Sequence, residues 1–351
     1  MKPIKLLPLL LLAPAAAWAT PDITVKAPTD TLRYVTVSIG DYIEGDYDTD
    51  EPEIALFTAG KVVIPDVTEP SYFISSVTPE GIFVLPGENI TLTADKNGKV
   101  IATGSQIASA MLDYAAEGDS LQAILRNMNR EDAGFNDIYT LWRTRADRRL
   151  PIYLNSPVGV YFLAKSTVQA ENKYIDSLSA SATESFLAPL YKRERKTIDN
   201  YREVQANKER IVAGAVAPDI TLPDMEGKPV ALSSLRGKWV LLDFWGSWCR
   251  WCMVGVPQMK ENYEKYKDVC EFVGIDCRES KEAWIAAVKA NGLKWLQLYN
   301  EPADGGKPAN VVYGVTGYPT KILINPEGLI ETVCVGEDPN FYDSFPALMG
   351  K

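Results

Sequence analysis

The rhythm of apolar positions changes three times along the chain. After residue 20, short β-branched or aromatic runs follow one another: Leu32–Ile39, Lys61–Ile64, Tyr72–Ile74, Ile82–Leu85 and Ile90–Thr93. Each is broken off by Gly, Pro or Asp, so a small antiparallel β domain, sandwich or barrel, is predicted over 20–104. From Gln106 to about Arg210 the apolar residues recur at helical spacing, in Ile107–Tyr114, Val158–Val168 and Ser185–Arg210, and 105–211 is expected to be helical. Val212-Ala213-Gly214-Ala215 reads as a linker into a last domain over 212–351. There, Lys238–Trp245 is a nearly continuous apolar run of strand length, interrupted only by Asp243, which predicts a strand buried on both faces. The next stretch, Met253–Tyr266, places Val256, Met259, Tyr263 and Tyr266 among Lys and Glu, predicting an amphipathic helix with a kink at Pro257.

The first residues have a different character. Lys2 and Lys5 precede an apolar Leu/Ala-rich stretch from Leu6 to Ala17, and Ala17-Trp18-Ala19 puts small residues at alternate positions. This is the pattern of a secretory leader over 1–19, cut after Ala19, since the apolar stretch falls short of the ~20 residues that span a bilayer. A location outside the cytoplasm, such as the periplasm, is expected, with no stable membrane insertion after cleavage. The formal net charge of −10 becomes −12 once Lys2 and Lys5 leave, a balance that disfavours nucleic acid and anionic membrane surfaces as partners. Asn89-Ile90-Thr91 matches a glycosylation acceptor but falls in a predicted strand, and is read as structural. The basic run Tyr191–Lys196 is read as a solvated helix face.

Between the predicted strand and the predicted helix lies Trp248-Cys249-Arg250-Trp251-Cys252. Two cysteines separated by two residues at a helix start can cycle between dithiol and disulfide, and the free amides and macrodipole there favour the Cys249 thiolate. A zinc site would need a second Cys or Cys/His pair, yet the chain has no histidine and its other cysteines are solitary; no metal and no cofactor are expected. Covalent haem attachment needs histidine after the second cysteine, where Met253 stands. The missing imidazole also removes Ser-His-Asp and Cys-His catalysis. Cys270 and Cys277 stand at opposite ends of one predicted strand, far beyond disulfide reach at ~3.3 Å per residue.

The run Leu242-Asp243-Phe244-Trp245-Gly246-Ser247-Trp248-Cys249-x-x-Cys252, with Pro257 five places on, resembles the active-site stretch of thioredoxin-fold proteins. Ala217-Pro218-Asp219, Gly227-Lys228, Gly237-Lys238, and then Gly317-Tyr318-Pro319-Thr320 resemble the TlpA-like branch, the extracytoplasmic thiol-disulfide oxidoreductases. The resemblance implies a mixed central sheet flanked by helices over 212–351. It also implies a role for each matching residue. Cys249 would attack a substrate disulfide and Cys252 would resolve the mixed disulfide. Asp243, six positions before Cys249, would be the buried acid that exchanges a proton with Cys252. Pro319 would be the cis-proline, exposing the Tyr318 backbone for strand-like pairing with substrate. Glu279 matches by position an active-site acid of some TlpA-like proteins. In the strand order of that fold, Cys270 and Cys334 fall on opposite sides of the active-site strand, so all three solitary cysteines are expected to be buried free thiols.

Where many relatives carry proline before the second cysteine, this chain has Trp251, preceded by Arg250. Arg250 is expected to stabilise the thiolate, while Trp248 and Trp251 form an apolar docking rim and Trp245 belongs to the core. Protein thiols or disulfides and an upstream electron donor are the partners implied. Two rivals stand beside this reading. A thioredoxin-fold peroxidase would carry Thr or Ser three residues before its reactive cysteine, where this chain has Gly246 for Cys249 and Cys249 itself for Cys252. A non-catalytic binding protein with a vestigial redox module is the other.

Overall fold

A computed structural model describes residues 22–64, 67–96, 99–302 and 305–349. The predicted leader lies outside the described residues. The chain divides into two compact units between Lys196 and Thr197, inside the helix Ala188–Lys208.

The first unit carries eight strands among its described residues: β1 (Ile23–Lys26), β2 (Thr31–Ser38), β3 (Glu53–Leu56), β4 (Lys61–Ile64), β5 (Ser71–Ser75), β6 (Ile82–Val84), β7 (Ile90–Ala94) and β8 (Val100–Thr103). They form two four-stranded sheets, β4-β1-β7-β8 and β3-β2-β5-β6. All pairings are antiparallel except β1 with β7. Alternation sets the buried face, with Ile23 and Val25 inward from β1, Val62 and Ile64 from β4, and Ile90 and Leu92 from β7. The runs that alternate most weakly escape the pattern: β3, whose Ile54 and Leu56 are exposed, and β8.

The turn Gly104-Ser105 hands the sheet to the helices. Gly104 sits at φ +88°, and a Cβ there would overlap the carbonyl of Asn89, so only glycine fits. Ser105 then caps the helix Gln106–Arg126, its Oγ accepting from Ala108 N at 3.2 Å. Phe83 of β6 meets this region directly, with the Tyr161 and Phe186 rings 5.9 and 5.4 Å away. The helical stretch predicted over Val158–Val168 is interrupted. One helix ends at Lys165 and the next begins at Val168, because the Asp147 carboxylate takes the Thr167 N–H at 2.8 Å and its hydroxyl at 2.6 Å, holding Thr167 extended.

The second unit is built on a five-stranded sheet. After the short pair β9 (Thr221–Pro223) and β10 (Pro229–Ala231) come β11 (Trp239–Trp245), β12 (Cys270–Asp276), β13 (Leu296–Tyr299), β14 (Thr320–Ile324) and β15 (Ile330–Val335), in the order β13-β12-β11-β14-β15. The central strand β11 runs parallel to β12 and antiparallel to β14, making the sheet mixed. Every residue of β11 from Val240 to Trp245 is buried. Val240, Leu242 and Phe244 enter one core with Val273, Ile275 and Ile322; Leu241 and Trp245 enter the other, with Cys249, Cys252 and Leu323. This is the thioredoxin-like fold that the motifs implied. β12 and β15 do flank β11 on opposite sides, and Cys270, Cys277 and Cys334 are free thiols. One correction follows from the edge position of β15: Cys334 is half-buried, whereas Cys270 and Cys277 are buried as expected.

Candidate active site

The buried strand β11 ends at Trp245, and a short loop leads into the helix Arg250–Tyr266, which includes Cys252 and begins just after Cys249. Cys249 is the residue that caps the helix, its Sγ accepting from the Cys252 N–H at 3.1 Å, and the two cysteines form a disulfide. Each is 6% exposed. The helix includes Pro257, and its inward face is Cys252, Gly255, Met259 and Tyr266.

The loop before Cys249 is held from both sides. Gly246 leaves room for Trp248: a Cβ there would overlap the indole nitrogen, which donates to the Cys277 carbonyl at 2.8 Å. Trp248 is therefore fixed at its polar edge while 49% exposed, and Trp251 is 62% exposed. Arg250 is also exposed, and Trp245 is core, as its place in the apolar run implied. The peptide bond Tyr318–Pro319 is cis, and the Tyr318 ring meets Trp248 edge-on at 5.3 Å. Arg278, at φ +65°, places its guanidinium 5.2 Å from the same Tyr318 ring. No pattern in the sequence marks Arg278, because the pairing depends on two loops 40 positions apart.

Glu279 reaches the same loop. Its carboxylate accepts from Ser247 N at 2.7 Å and from the Ser247 hydroxyl, two residues ahead of Cys249. Burial pushes Glu279 up, but hydrogen bonds from Asp276 and Ser247 outweigh it and hold the carboxyl below its ordinary value. Burial and then Glu279 push Asp276 up to about 9, so the two neighbouring acids titrate in opposite directions from their ordinary values. Asp276 is 1% exposed, and sequence reasoning did not place it in the site. The signal was an acid ending an otherwise apolar strand.

Asp243 lies on the face of β11 that Leu241 and Trp245 share with the cysteines. It is buried, and burial raises its carboxyl from 3.8 to about 6, with Lys321 pulling down and Glu337 pushing up. Lys321 is its cross-strand partner in β14. Neither Lys321 nor Glu337 is marked by any motif in the sequence.

The profile of the AhpC/TSA family matches residues 213–333. The thiol-disulfide oxidoreductase ResA of Bacillus thuringiensis (strain Al Hakam) is 36% identical over 138 residues, covering 39% of this chain and 78% of that protein. The chain belongs to the ResA-like thiol-disulfide oxidoreductases. ResA of Bacillus subtilis (strain 168) is 37% identical over 137 residues, covering 39% of this chain and 74% of that one. Among solved structures, the thioredoxin domain of a thiol-disulfide oxidoreductase from Bacteroides vulgatus is 30% identical, covering 39% of this chain and 97% of that chain, with a TM-score of 0.35. The family profile falls within the second unit, which holds the disulfide and the residues around it. As a ResA-like enzyme the chain is an oxidoreductase of thiols and disulfides.

Proposed function

We propose that this enzyme reduces or exchanges protein disulfides outside the cytoplasm, with Cys249 as nucleophile and Cys252 as resolving thiol. The observation that carries the reading is a disulfide at a helix N-cap with two exposed tryptophans next to its cysteines in the chain. In the reduced enzyme the helix terminus favours the Cys249 thiolate over the thiol. That thiolate attacks one sulfur of a substrate disulfide; a mixed disulfide forms, and the other substrate sulfur leaves as thiolate and takes up a proton. Cys252 passes its proton to Asp243 and attacks the Cys249 sulfur, releasing the second substrate thiolate and closing Cys249–Cys252. Two electrons have passed to the substrate, and an upstream dithiol donor must return them. Run backwards, the same steps oxidise substrate.

Trp248, Trp251 and Tyr318 would receive the apolar part of an extended substrate, whose backbone pairs with Tyr318 beside Pro319. The leader pattern supports export, and no helix among the described residues is long and apolar enough to cross a membrane. Insulin-disulfide reduction by dithiothreitol, followed by turbidity, tests the activity. Catalysis by the wild type and none by C249S is expected; no catalysis by the wild type would revive the vestigial-module reading.

Arg250 stands next to the nucleophile and exposed. Its positive charge favours the thiolate, and a more stable reduced form makes the couple more oxidising. Replacing it, R250G, is expected to lower the reduction potential in glutathione equilibration. An unchanged or higher potential would reject that role.

A further inference from the structure

Behind the disulfide, three charged side chains are packed where the apolar pattern leaves room for none. Lys321 Nζ and Glu337 Oε2 stand 2.6 Å apart, with side chains 3% and 10% exposed, and Lys321 is paired in register with Asp243. The cluster thus holds two carboxylates and one ammonium. Glu337 comes from the segment after β15 and lies against the active-site helix at Gly255, one turn beyond Cys252 on the same buried face; a Cβ at Gly255 would overlap its carboxylate. The ammonium is thereby engaged by Glu337, and Asp243 Oδ1, Glu337 Oε1 and the Tyr342 hydroxyl are buried without a hydrogen-bond partner among the described residues.

Two carboxylates and one ammonium buried together leave an uncompensated negative charge, which burial disfavours, so one of the acids is poised to take up a proton. Which acid carries it depends on where Lys321 is held. We infer that Glu337 is a positioning residue for the resolving step: by holding Lys321 against itself, it leaves Asp243 as the group that takes the Cys252 proton near neutral pH. The inference rests on the proton-carrier reading of Asp243. The proton balance is direct. Cys252 thiol and Asp243 carboxylate become Cys252 thiolate and Asp243 carboxyl, and the proton later passes to the departing substrate thiolate or to water.

The titratable groups that act on Asp243 or on its neighbour Tyr342 are Lys321 from β14, Glu337 after β15, and Cys270 and Cys334; Cys252 belongs to the core that Leu241 and Trp245, on the Asp243 face of β11, line. Of these, Lys321 pulls the Asp243 carboxyl down and Glu337 pushes it up. With E337Q, a near-isosteric change, Lys321 is released to Asp243 alone.

The test uses the full chain and two readouts. The first is the ¹³C-NMR titration of the Asp243 carboxyl in the reduced enzyme, and the second is the pH profile of single-turnover insulin reduction. E337Q is expected to move both the Asp243 titration and the acid limb of the profile down by about one pH unit. E337D keeps the charge but withdraws it from Lys321 by one methylene; it should shift both in the same direction by less, and it serves if E337Q does not fold. A merely structural Glu337 would lower stability and leave both midpoints in place, which overturns the inference. The Asp243 reading fails separately: D243N would then keep an unaltered acid limb, whatever the NMR titration of the Glu337 variants shows. If D243N flattens the limb while E337Q leaves the Asp243 titration unmoved, Asp243 keeps its role and Glu337 has no part in positioning the proton.

Discussion

C252A is expected to abolish turnover and to accumulate enzyme covalently joined to substrate through Cys249. With the resolving thiol gone, the first exchange still proceeds, because it needs only the Cys249 thiolate at the helix N-cap, but no internal sulfur can expel the bound thiol. Non-reducing electrophoresis of the variant after exposure to an extract of exported proteins should show adducts that dithiothreitol collapses, and mass spectrometry should place every one on Cys249. C249S should show neither turnover nor adducts. Adducts on Cys270, Cys277 or Cys334 instead would count against the assignment. Burial pushes the first two thiols to about 12, so they are protonated and unreactive at neutral pH.

D243N is expected to make the protein more stable and less active. Burial raises the Asp243 carboxyl from an ordinary 3.8 to about 6. A carboxyl raised on folding contributes its full stability below the unfolded value, near pH 4, and loses it as pH rises through about 6, because above that the folded state must either keep a proton the unfolded chain gives up or bury a charge. Two pH units correspond to about 3 kcal/mol, so at pH 8 the acid costs the fold on the order of that amount. Asparagine removes the cost. Urea unfolding should show D243N gaining about 2–3 kcal/mol at pH 8 and little below pH 4, while single-turnover reduction near pH 7 slows by roughly 10²-fold, the scale of one general base. A variant less stable than wild type at pH 8 would mean that Asp243 is held by its neighbours as an ordinary structural charge. A gain in stability together with a loss of rate would fit the proton-carrying role proposed for Asp243.

Much of the site was legible because it is local. A nearly unbroken apolar run, two cysteines three apart and a helical period after them specify strand, turn and helix without reference to the rest of the chain, and β11 and the helix Arg250–Tyr266 fall where that pattern puts them. Lys321 and Glu337 were not legible. They are neighbours only because β14 and β15 bring them beneath the helix, and sequence spacing carries no trace of that. A weaker signal was present: Lys321 interrupts the apolar run Ile322-Leu323-Ile324 at its start, as Asp243 interrupts its own, and two opposite charges in two buried strands are a pairing to look for. Cys334 falls in the expected strand but is less buried than expected, since nothing in Thr332-Val333-Cys334-Val335 tells an edge strand from a central one. In the first unit, β2 and β4 to β7 fall on the predicted runs, whereas β1, β3 and β8 coincide with none of them; β3 and β8 also bury no alternating apolar face.

If the enzyme works as proposed, Cys249 and Cys252 pass reversibly between disulfide and dithiol in the folded state. Native protein alkylated with iodoacetamide before and after mild dithiothreitol treatment, then digested and weighed, tests this most directly. Neither cysteine should carry label beforehand; both should carry it afterwards, with Cys249 modified first, and reoxidation of the reduced protein before alkylation should abolish it. If neither sulfur can be alkylated after reduction of native material, the pair is a fixed structural cross-link and the redox mechanism is wrong.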